Sequence, residues 1–136
     1  MNDAAILELS CTQLARAIRD RQVSALKAME TTLARAQAVQ PKLNAFVRID
    51  TDLALHAARL ADRDLARGHL RGPLHGVPMA HKDMYYRKGE RSTGGSAIRR
   101  DWTAPVTATA LQKLDAAGVV ELGFLNMAEF AAGPTG

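Results

Sequence analysis

Two short apolar runs on either side of one helical segment limit the fold more than any other feature. Val77–His81 and Val119–Gly123 have the length and composition of strands. Residues 104–117 between them carry apolar side chains at helical spacing, and Gly118 is a typical helix stop. Two strands joined through a helix lie parallel in one sheet, with a right-handed crossover. The chain is therefore predicted to be α/β.

Three more helices are predicted upstream of this unit. Ser10 and Gln13 have the spacing of a capping box at a helix start. Ser24 is a typical N-cap for the next helix, which Pro41 is expected to end. The predicted helices cover residues 10–18, 24–41 and 51–67, and residues 44–49 form either a strand or an extended connector.

A turn-rich segment near residue 70 divides the chain into two parts of one domain. Residues 1–70 are predicted to be helical, and residues 71–136 to begin an α/β core. Because a parallel sheet needs both faces covered, one β–α–β unit is expected to be the first part of a large mixed sheet covered by helices. Residues 131–136 have loop chemistry, so we expect the chain to be the N-terminal portion of a longer domain.

Composition excludes several classes of protein. Of the 136 residues, 47% are hydrophobic and 24% are charged, which is typical of a soluble globular chain. No run approaches the ~20 apolar residues of a membrane span, and no signal peptide is recognisable, so a cytoplasmic setting is expected. The single cysteine, Cys11, permits no internal disulfide and is expected to be a small packing residue.

Charge and histidine patterns point to neither nucleic acid nor metal. The net charge is only +4, and charges of both signs are mixed along the chain. One basic group is interpreted as a solvated loop: Arg87, Lys88, Arg91, Arg99 and Arg100. The four histidines, His56, His69, His75 and His81, lack partners at the spacing of zinc ligands, so no metal is expected.

Lys82 stands at the end of the first predicted strand, where α/β sheets place their sites. Partial burial there would lower a lysine's pKa from its usual ~10.4 and make proton exchange feasible. Asp83 could then hold or orient the ammonium group. The alternative from the residues alone is a surface lysine paired with its neighbour.

Two other segments could carry chemistry. Ser92–Ser96 combines hydroxyls with glycines, which allows close backbone approach to a ligand, although its spacing is not that of a P-loop. Gly123–Gly133 follows a strand and contains an Asn126-x-x-Glu129 capping pattern, so it could line a pocket. The alternatives are a flexible turn and a plain helix start.

The order of these segments resembles the amidase signature family. The resemblance begins at Gly72–Asp83, which is similar to that family's opening motif, and continues through a Thr-Gly-Ser type loop at Thr93–Ser96. Ala117–Val120 and Gly123–Ala131 match the helix end and the Gly-Lys-Thr-Asn-Met-x-Glu-Phe-Ala segment that follow in the family. Upstream, Pro41–Phe46 resembles the family's N-terminal pattern.

The resemblance implies hydrolysis of a carboxylic amide by a Ser–cis-Ser–Lys triad without metal or organic cofactor. Lys82 would exchange protons through a bridging serine so that a second serine attacks the carbonyl, which requires a neutral lysine at a sheltered strand end. Ser92 and Ser96 belong to an earlier loop, so neither is assigned to the triad. Without the nucleophile and the oxyanion hole, residues 1–136 alone are expected to be inactive.

The sequence departs from the family pattern at two places near these motifs. Phe124-Leu125 replaces a frequent Lys-Thr pair and is expected to change packing or pocket lining. Met84-Tyr85 replaces Asn-Ile or Asn-Phe and is expected to mark a subgroup.

Three functions stay open at this point. The first is an amidase acting on a small amide, with a homodimer compatible with the sequence. The second is the amide-hydrolysing subunit of a glutamine-dependent tRNA amidotransferase, the one case in which nucleic acid is an expected partner. The third is a catalytically inactive remnant or binding module.

Overall fold

The computed structural model describes residues 1–133, in which five helices and three strands form a mixed α/β fold. The helices are α1 Asp3–Leu7, α2 Cys11–Arg19, α3 Ala25–Leu43, α4 Thr51–Ala66 and α5 Thr109–Ala117. The strands are β1 Phe46–Ile49, β2 Pro78–Lys82 and β3 Val120–Leu125. Short 3-10 turns lie at Ala97–Arg99 and Glu129–Ala131. No helix in residues 1–133 is long and apolar enough to cross a membrane.

The serine caps predicted for α2 and α3 are confirmed. Ser10 Oγ accepts from the backbone N–H of Gln13, and Gln13 Oε1 accepts from the backbone N–H of Ser10 at 2.8 Å. Ser24 Oγ accepts from the backbone N–H of Lys27 at 2.9 Å. Each bond satisfies a donor that a helix start leaves unpaired.

Pro41 does not end α3, contrary to the prediction. The helix continues to Leu43 and stops at Asn44, which has the left-handed conformation with φ 47°. Asn44 N still donates to Gln40 O at 2.8 Å, so the last turn closes despite the proline. The Gln40 side chain also holds Phe46, accepting from its N–H and donating to its carbonyl, and so fixes the turn into β1.

The three strands form a sheet in the order β1-β3-β2. Strands β2 and β3 are parallel, as predicted, with Lys82 opposite Leu125 and His81 opposite Phe124. Strand β1 pairs with β3 in the antiparallel sense, so residues 44–49 include a strand and the sheet is mixed.

The crossover helix α5 begins at Thr109 and not near residue 104. The backbone before it bonds instead to the loop that follows β2: Gly89 N donates to Ala104 O, and Ala104 N donates to Glu90 O, both at 2.9 Å. In a helix from residue 104, Ala108 N would donate to Ala104 O, but it donates to Tyr86 O at 2.8 Å instead, so the predicted first turn is a loop.

The core lies between the helices and β3. Ile18 and Met29 from α2 and α3 are fully buried, and α4 contributes alanines that let its backbone approach closely. The α4 alanines are Ala54, Ala58 and Ala61. Val120 and Leu122 bring β3 into the same cluster. Helices α3 and α4 thereby hold the sheet and fix the positions of its strand ends.

Candidate functional site

Lys82 is the last residue of β2 and lies opposite the last residue of β3. Because these strands are parallel, their carboxyl ends share one edge of the sheet, which is where open α/β sheets bind ligands. The Lys82 side chain is exposed in residues 1–133, so the expected shelter is not provided by this part of the chain.

Two grooves meet at Lys82. One has a volume of about 280 Å³, and its lining is mostly apolar: Met79, Ala80, His81, Lys82, Tyr85, Ala110, Leu111 and Leu114. The other has a volume of about 260 Å³ and is lined by Leu43, Asn44, Ala45, Lys82, Leu125 and Asn126. An ammonium or amine at this position is therefore reachable from both sides of the strand end.

Asp83 does not pair with Lys82 in residues 1–133, contrary to the expectation that it orients the ammonium. Its carboxylate is buried and turned to the following loop, where Oδ2 accepts from Thr93 N at 2.9 Å and from Thr93 Oγ1 at 2.5 Å. Its carbonyl accepts from Ser92 Oγ at 2.7 Å. Asp83 thus anchors the loop to the end of β2.

The Ser92–Ser96 loop is not a flexible turn. Ser92 is buried, and Ser96 Oγ donates to Glu129 Oε1 at 2.6 Å. The backbone N–H of Phe130 donates to Gly94 O at 2.7 Å. At Gly95, where φ is +71°, an added Cβ would lie 2.7 Å from Met127 O. Both serines serve the packing of the loop.

The predicted capping box at Asn126 and Glu129 does not form. Asn126 Oδ1 accepts from Met127 N at 2.9 Å, and its Nδ2 donates to Asn44 O at 3.2 Å. Glu129 is used by Ser96, and only a 3-10 turn follows. Asn126 therefore ties the end of β3 to the start of β1, beside Lys82.

An ionic network begins between β2 and β3, where His81 lies beside Glu121. Arg87 binds the carboxylate of Asp115 at 2.5 Å and also the carboxylate of Glu121. Glu121 Oε2 lies 3.3 Å from His81 Nε2. Arg87 is thus ion-paired, and the interpretation of its segment as a solvated basic loop is wrong at this residue.

The network sets the charge of its members. Burial alone would raise the pKa of Glu121, but the contacts with His81 and Arg87 outweigh it and lower that pKa below its ordinary value. Burial disfavours the charged form of Arg87, but its hydrogen bonds to Asp115 and Glu121 prevail and raise its pKa. Glu121 is therefore a carboxylate at neutral pH.

Phe124 replaces the family's frequent lysine with an aromatic contact. It is buried, its ring meets the His81 ring edge-on at 4.4 Å between centroids, and the Arg48 guanidinium lies 4.3 Å from its centroid. In this chain Phe124 therefore packs against His81 and Arg48. Arg48 also pairs with Asp50 and Glu90, and this role was not recognised from the sequence.

Two further expectations concern Cys11 and metal binding. Cys11 is exposed, so it is not a packing residue. Among residues 1–133, no three His, Cys, Asp or Glu side chains are grouped as metal ligands.

The family follows from comparison with known proteins. The sequence model of the family described as Amidase matches residues 27–136. The chain therefore belongs to the amidase family, whose members are amidase signature enzymes that hydrolyse amides.

Similar proteins give a more detailed picture. A glutamyl-tRNA(Gln) amidotransferase subunit from Bordetella avium is 50% identical over 120 residues, which is 88% of this chain and 23% of the relative. One similar solved structure is that of an unexpected vestigial protein complex that reveals the evolutionary origins of an s-triazine catabolic enzyme. It has a TM-score of 0.85 and 35% identity, and the match covers 92% of this chain and 28% of the chain in that structure.

A third similar protein is a bacterial aryl acylamidase belonging to the amidase signature enzymes, with a TM-score of 0.81 and 28% identity. The match covers 90% of this chain and 26% of the acylamidase chain. The chain thus spans about a quarter of the length of the relatives it matches.

Proposed function

We propose that the complete polypeptide containing residues 1–136 hydrolyses a carboxylic amide and that Lys82 is its proton-transfer residue. The observation that carries the proposal is the position of Lys82 at the shared carboxyl edge of two parallel strands, between two grooves. Membership of the amidase family supports the reaction class.

The proposed chemistry follows the family's Ser–cis-Ser–Lys arrangement. Neutral Lys82 accepts a proton from the bridging serine, which in turn takes the proton of the nucleophilic serine as its oxygen bonds to the amide carbon. Collapse of the tetrahedral intermediate breaks the C–N bond, and the proton returns to the leaving nitrogen. Water then releases the carboxylate. Neither serine role is assigned to Ser92 or Ser96, which hold the loop.

A matched pair of lysine variants tests this assignment. Lys82→Ala in the complete polypeptide should lower kcat for amide hydrolysis by at least ~100-fold, because general-base catalysis contributes that much or more. Lys113, exposed on α5, is the control, and Lys113→Ala should keep the wild-type rate. A Lys82→Ala enzyme as fast as Lys113→Ala would remove Lys82 from the mechanism.

A second candidate is the amide-hydrolysing component of a glutamine-dependent tRNA amidotransferase. Relatives named as glutamyl-tRNA(Gln) amidotransferase subunits, from Bordetella avium and Pseudomonas aeruginosa, are 50% and 43% identical. Such a protein would pass ammonia to partner subunits, and its tRNA substrate would place it in the cytoplasm. Glutaminase activity that rises when partner subunits are added would favour this candidate. Hydrolysis of simple amides without partners would favour the first.

The inactive module is the third candidate. It would apply if the purified complete polypeptide bound amides or partner proteins without hydrolysing any amide. The same assays distinguish it, because hydrolysis that depends on Lys82 contradicts it.

A further inference from the structure

The two buried histidines have opposite hydrogen-bonding environments. At His75, the backbone N–H of Arg71 donates to Nδ1 at 3.1 Å, while Nε2 lies 2.9 Å from the carbonyl of Ala61. A carbonyl oxygen only accepts, so Nε2 carries hydrogen and Nδ1 does not. His75 is therefore fixed as a neutral ring with its proton on Nε2.

At His81, both ring nitrogens face acceptors. Nδ1 lies 3.0 Å from the carbonyl oxygen of Lys82, so Nδ1 carries a hydrogen and donates it. Nε2 lies 3.3 Å from Glu121 Oε2, an ion-pair distance without an aligned hydrogen bond. A neutral ring with its proton on Nδ1 would leave an Nε2 lone pair 3.3 Å from a carboxylate oxygen. A ring with both protons donates to the Lys82 carbonyl and places its positive charge next to the Glu121 carboxylate.

A protonated Glu121 would be the other way to avoid an Nε2 lone pair next to a carboxylate oxygen. The structure argues against it, because Arg87 binds the same Glu121 oxygen that faces His81. The proton therefore belongs to the imidazole.

The surrounding charges lead to the same assignment. Glu121 faces His81 from β3, and Arg87 and Asp115 extend the network through the loop after β2 and α5. Arg48 of β1, which contacts Phe124, is already balanced by the carboxylates of Asp50 and Glu90. With a charged His81, the network holds two cations, His81 and Arg87, and two anions, Asp115 and Glu121. With a neutral His81, Arg87 alone would balance the carboxylates of Asp115 and Glu121, which leaves one net negative charge.

We propose that His81 is a positioning residue for Lys82, held as an imidazolium between the Lys82 carbonyl and the Glu121 carboxylate. The Lys82 carbonyl also accepts from Tyr85 N at 3.0 Å, so two donors fix the backbone from which the Lys82 side chain projects. The proposed protonation stands on the geometry alone, and the positioning role rests on the proposed function of Lys82.

Ring-nitrogen NMR tests the protonation directly. Spectra of the complete polypeptide with ¹⁵N-labelled histidine rings at pH 7.5 should show two protonated nitrogens for His81 and the single Nε2–H pattern for His75. The exposed His56 and His69 provide in-chain reference signals. His81→Asn assigns the signal. A neutral His81 ring overturns the proposal.

Glu121→Gln provides a second measurement on the same signal. The amide removes the negative charge while keeping the shape, so His81 should lose its second ring proton at pH 7.5. His75 should keep its pattern, which shows that the fold is intact. A His81 ring that stays doubly protonated in this variant would exclude Glu121 as the counter-ion.

Kinetics of two His81 variants test the positioning role. Asn offers a donor where Nδ1 stood, whereas Phe offers none, so His81→Phe should lower kcat roughly tenfold or more with KM little changed, and His81→Asn should recover most of the loss. His56→Asn is the control. A His81→Phe enzyme with wild-type kcat and pH profile would overturn the role. If Lys82→Ala were fully active while His81 proved doubly protonated, only the proposed function would fail.

Discussion

The carboxylate of Asp83, next to Lys82, stabilises the loop that follows β2. It is 2% exposed and accepts two hydrogen bonds from Thr93, which hold the Ser92–Ser96 loop against the end of β2. Lys82 and Asp83 are neighbours in sequence, yet one side chain is exposed and the other is buried. Asp83 follows the last residue of β2, and its hydrogen bonds with Thr93 hold its carboxylate against the buried loop.

Removing the Asp83 anchor should destabilise the fold. Asp83→Ala leaves the partly buried Thr93 donors unpaired, which typically costs about 1–3 kcal/mol of unfolding free energy. Urea unfolding of the variant checks this value. Asp101→Ala, at an exposed position, should change it little. Equal stability of the two variants would show that the anchor is unimportant.

Glu121 should make stability depend on pH on the acid side. Its pKa is lowered in the folded state, so its contribution is fully present above the unfolded value of ~4.3 and is lost as pH falls through the folded pKa. Urea midpoints measured from pH 6 to pH 3 should therefore fall less steeply in Glu121→Gln than in wild type. Parallel curves would contradict the lowered pKa.

Helix α3 is fixed at its start by a residue from another helix. Asp62 of α4 accepts from Ala25 N at 2.7 Å and from Leu26 N at 3.0 Å, adding to the local cap of Ser24. Two oxygens of one carboxylate thus satisfy two of the donors that α3 leaves open. The contact joins the two longest helices over the core.

Asp62→Ala should therefore cost about 1–2 kcal/mol of unfolding free energy, in the upper range for loss of a helix cap. Ser24→Ala should cost about 1 kcal/mol. Arg59, exposed on the same helix as Asp62, provides the control. Thermal or urea unfolding measures all three. A loss in Arg59→Ala as large as in Asp62→Ala would assign the effect to α4 itself.

Local signals predicted the elements well, and distant contacts account for the errors. The caps at Ser10 and Ser24 lie within three residues of their partners, so the sequence contains the whole motif. The start of α5 depends on bonds between residues 89–90 and Ala104, which no helical period reveals.

The candidate site, too, could be predicted only where it depends on local sequence. The strand end at Lys82 could be predicted from composition, and the family likeness assigned its chemistry. The His81–Glu121 contact could not be predicted, because it requires the register that sets Met79 opposite Glu121 and Ala80 opposite Gly123. The bulge between those pairs leaves no local sequence signal.

At the scale of the whole molecule, stability is concentrated in the helical layer. Helices α1–α4 supply most of the buried cluster, whereas α5 contributes one fully buried residue, Leu111. Strands β1 and β2 are the two edges of the sheet. Unpaired strand edges promote association between molecules.

Residues 1–136 expressed alone should accordingly be partly ordered and prone to aggregate. Hydrogen exchange should be slowest in α3 and α4 and fast in α5, because local protection follows burial. Size-exclusion chromatography should show association that increases with concentration. A monomer with one sharp cooperative melt and uniform protection would contradict this expectation.

Chemical rescue tests the central assignment, that Lys82 transfers the proton. The measurement is the rate of carboxylate release from an amide by the complete polypeptide carrying Lys82→Ala, with increasing concentrations of methylamine. We expect a rate near background without the amine and a rise with the concentration of neutral methylamine, while Lys113→Ala stays at the wild-type rate and does not respond. A Lys82→Ala enzyme that keeps the wild-type rate without any amine would contradict the assignment.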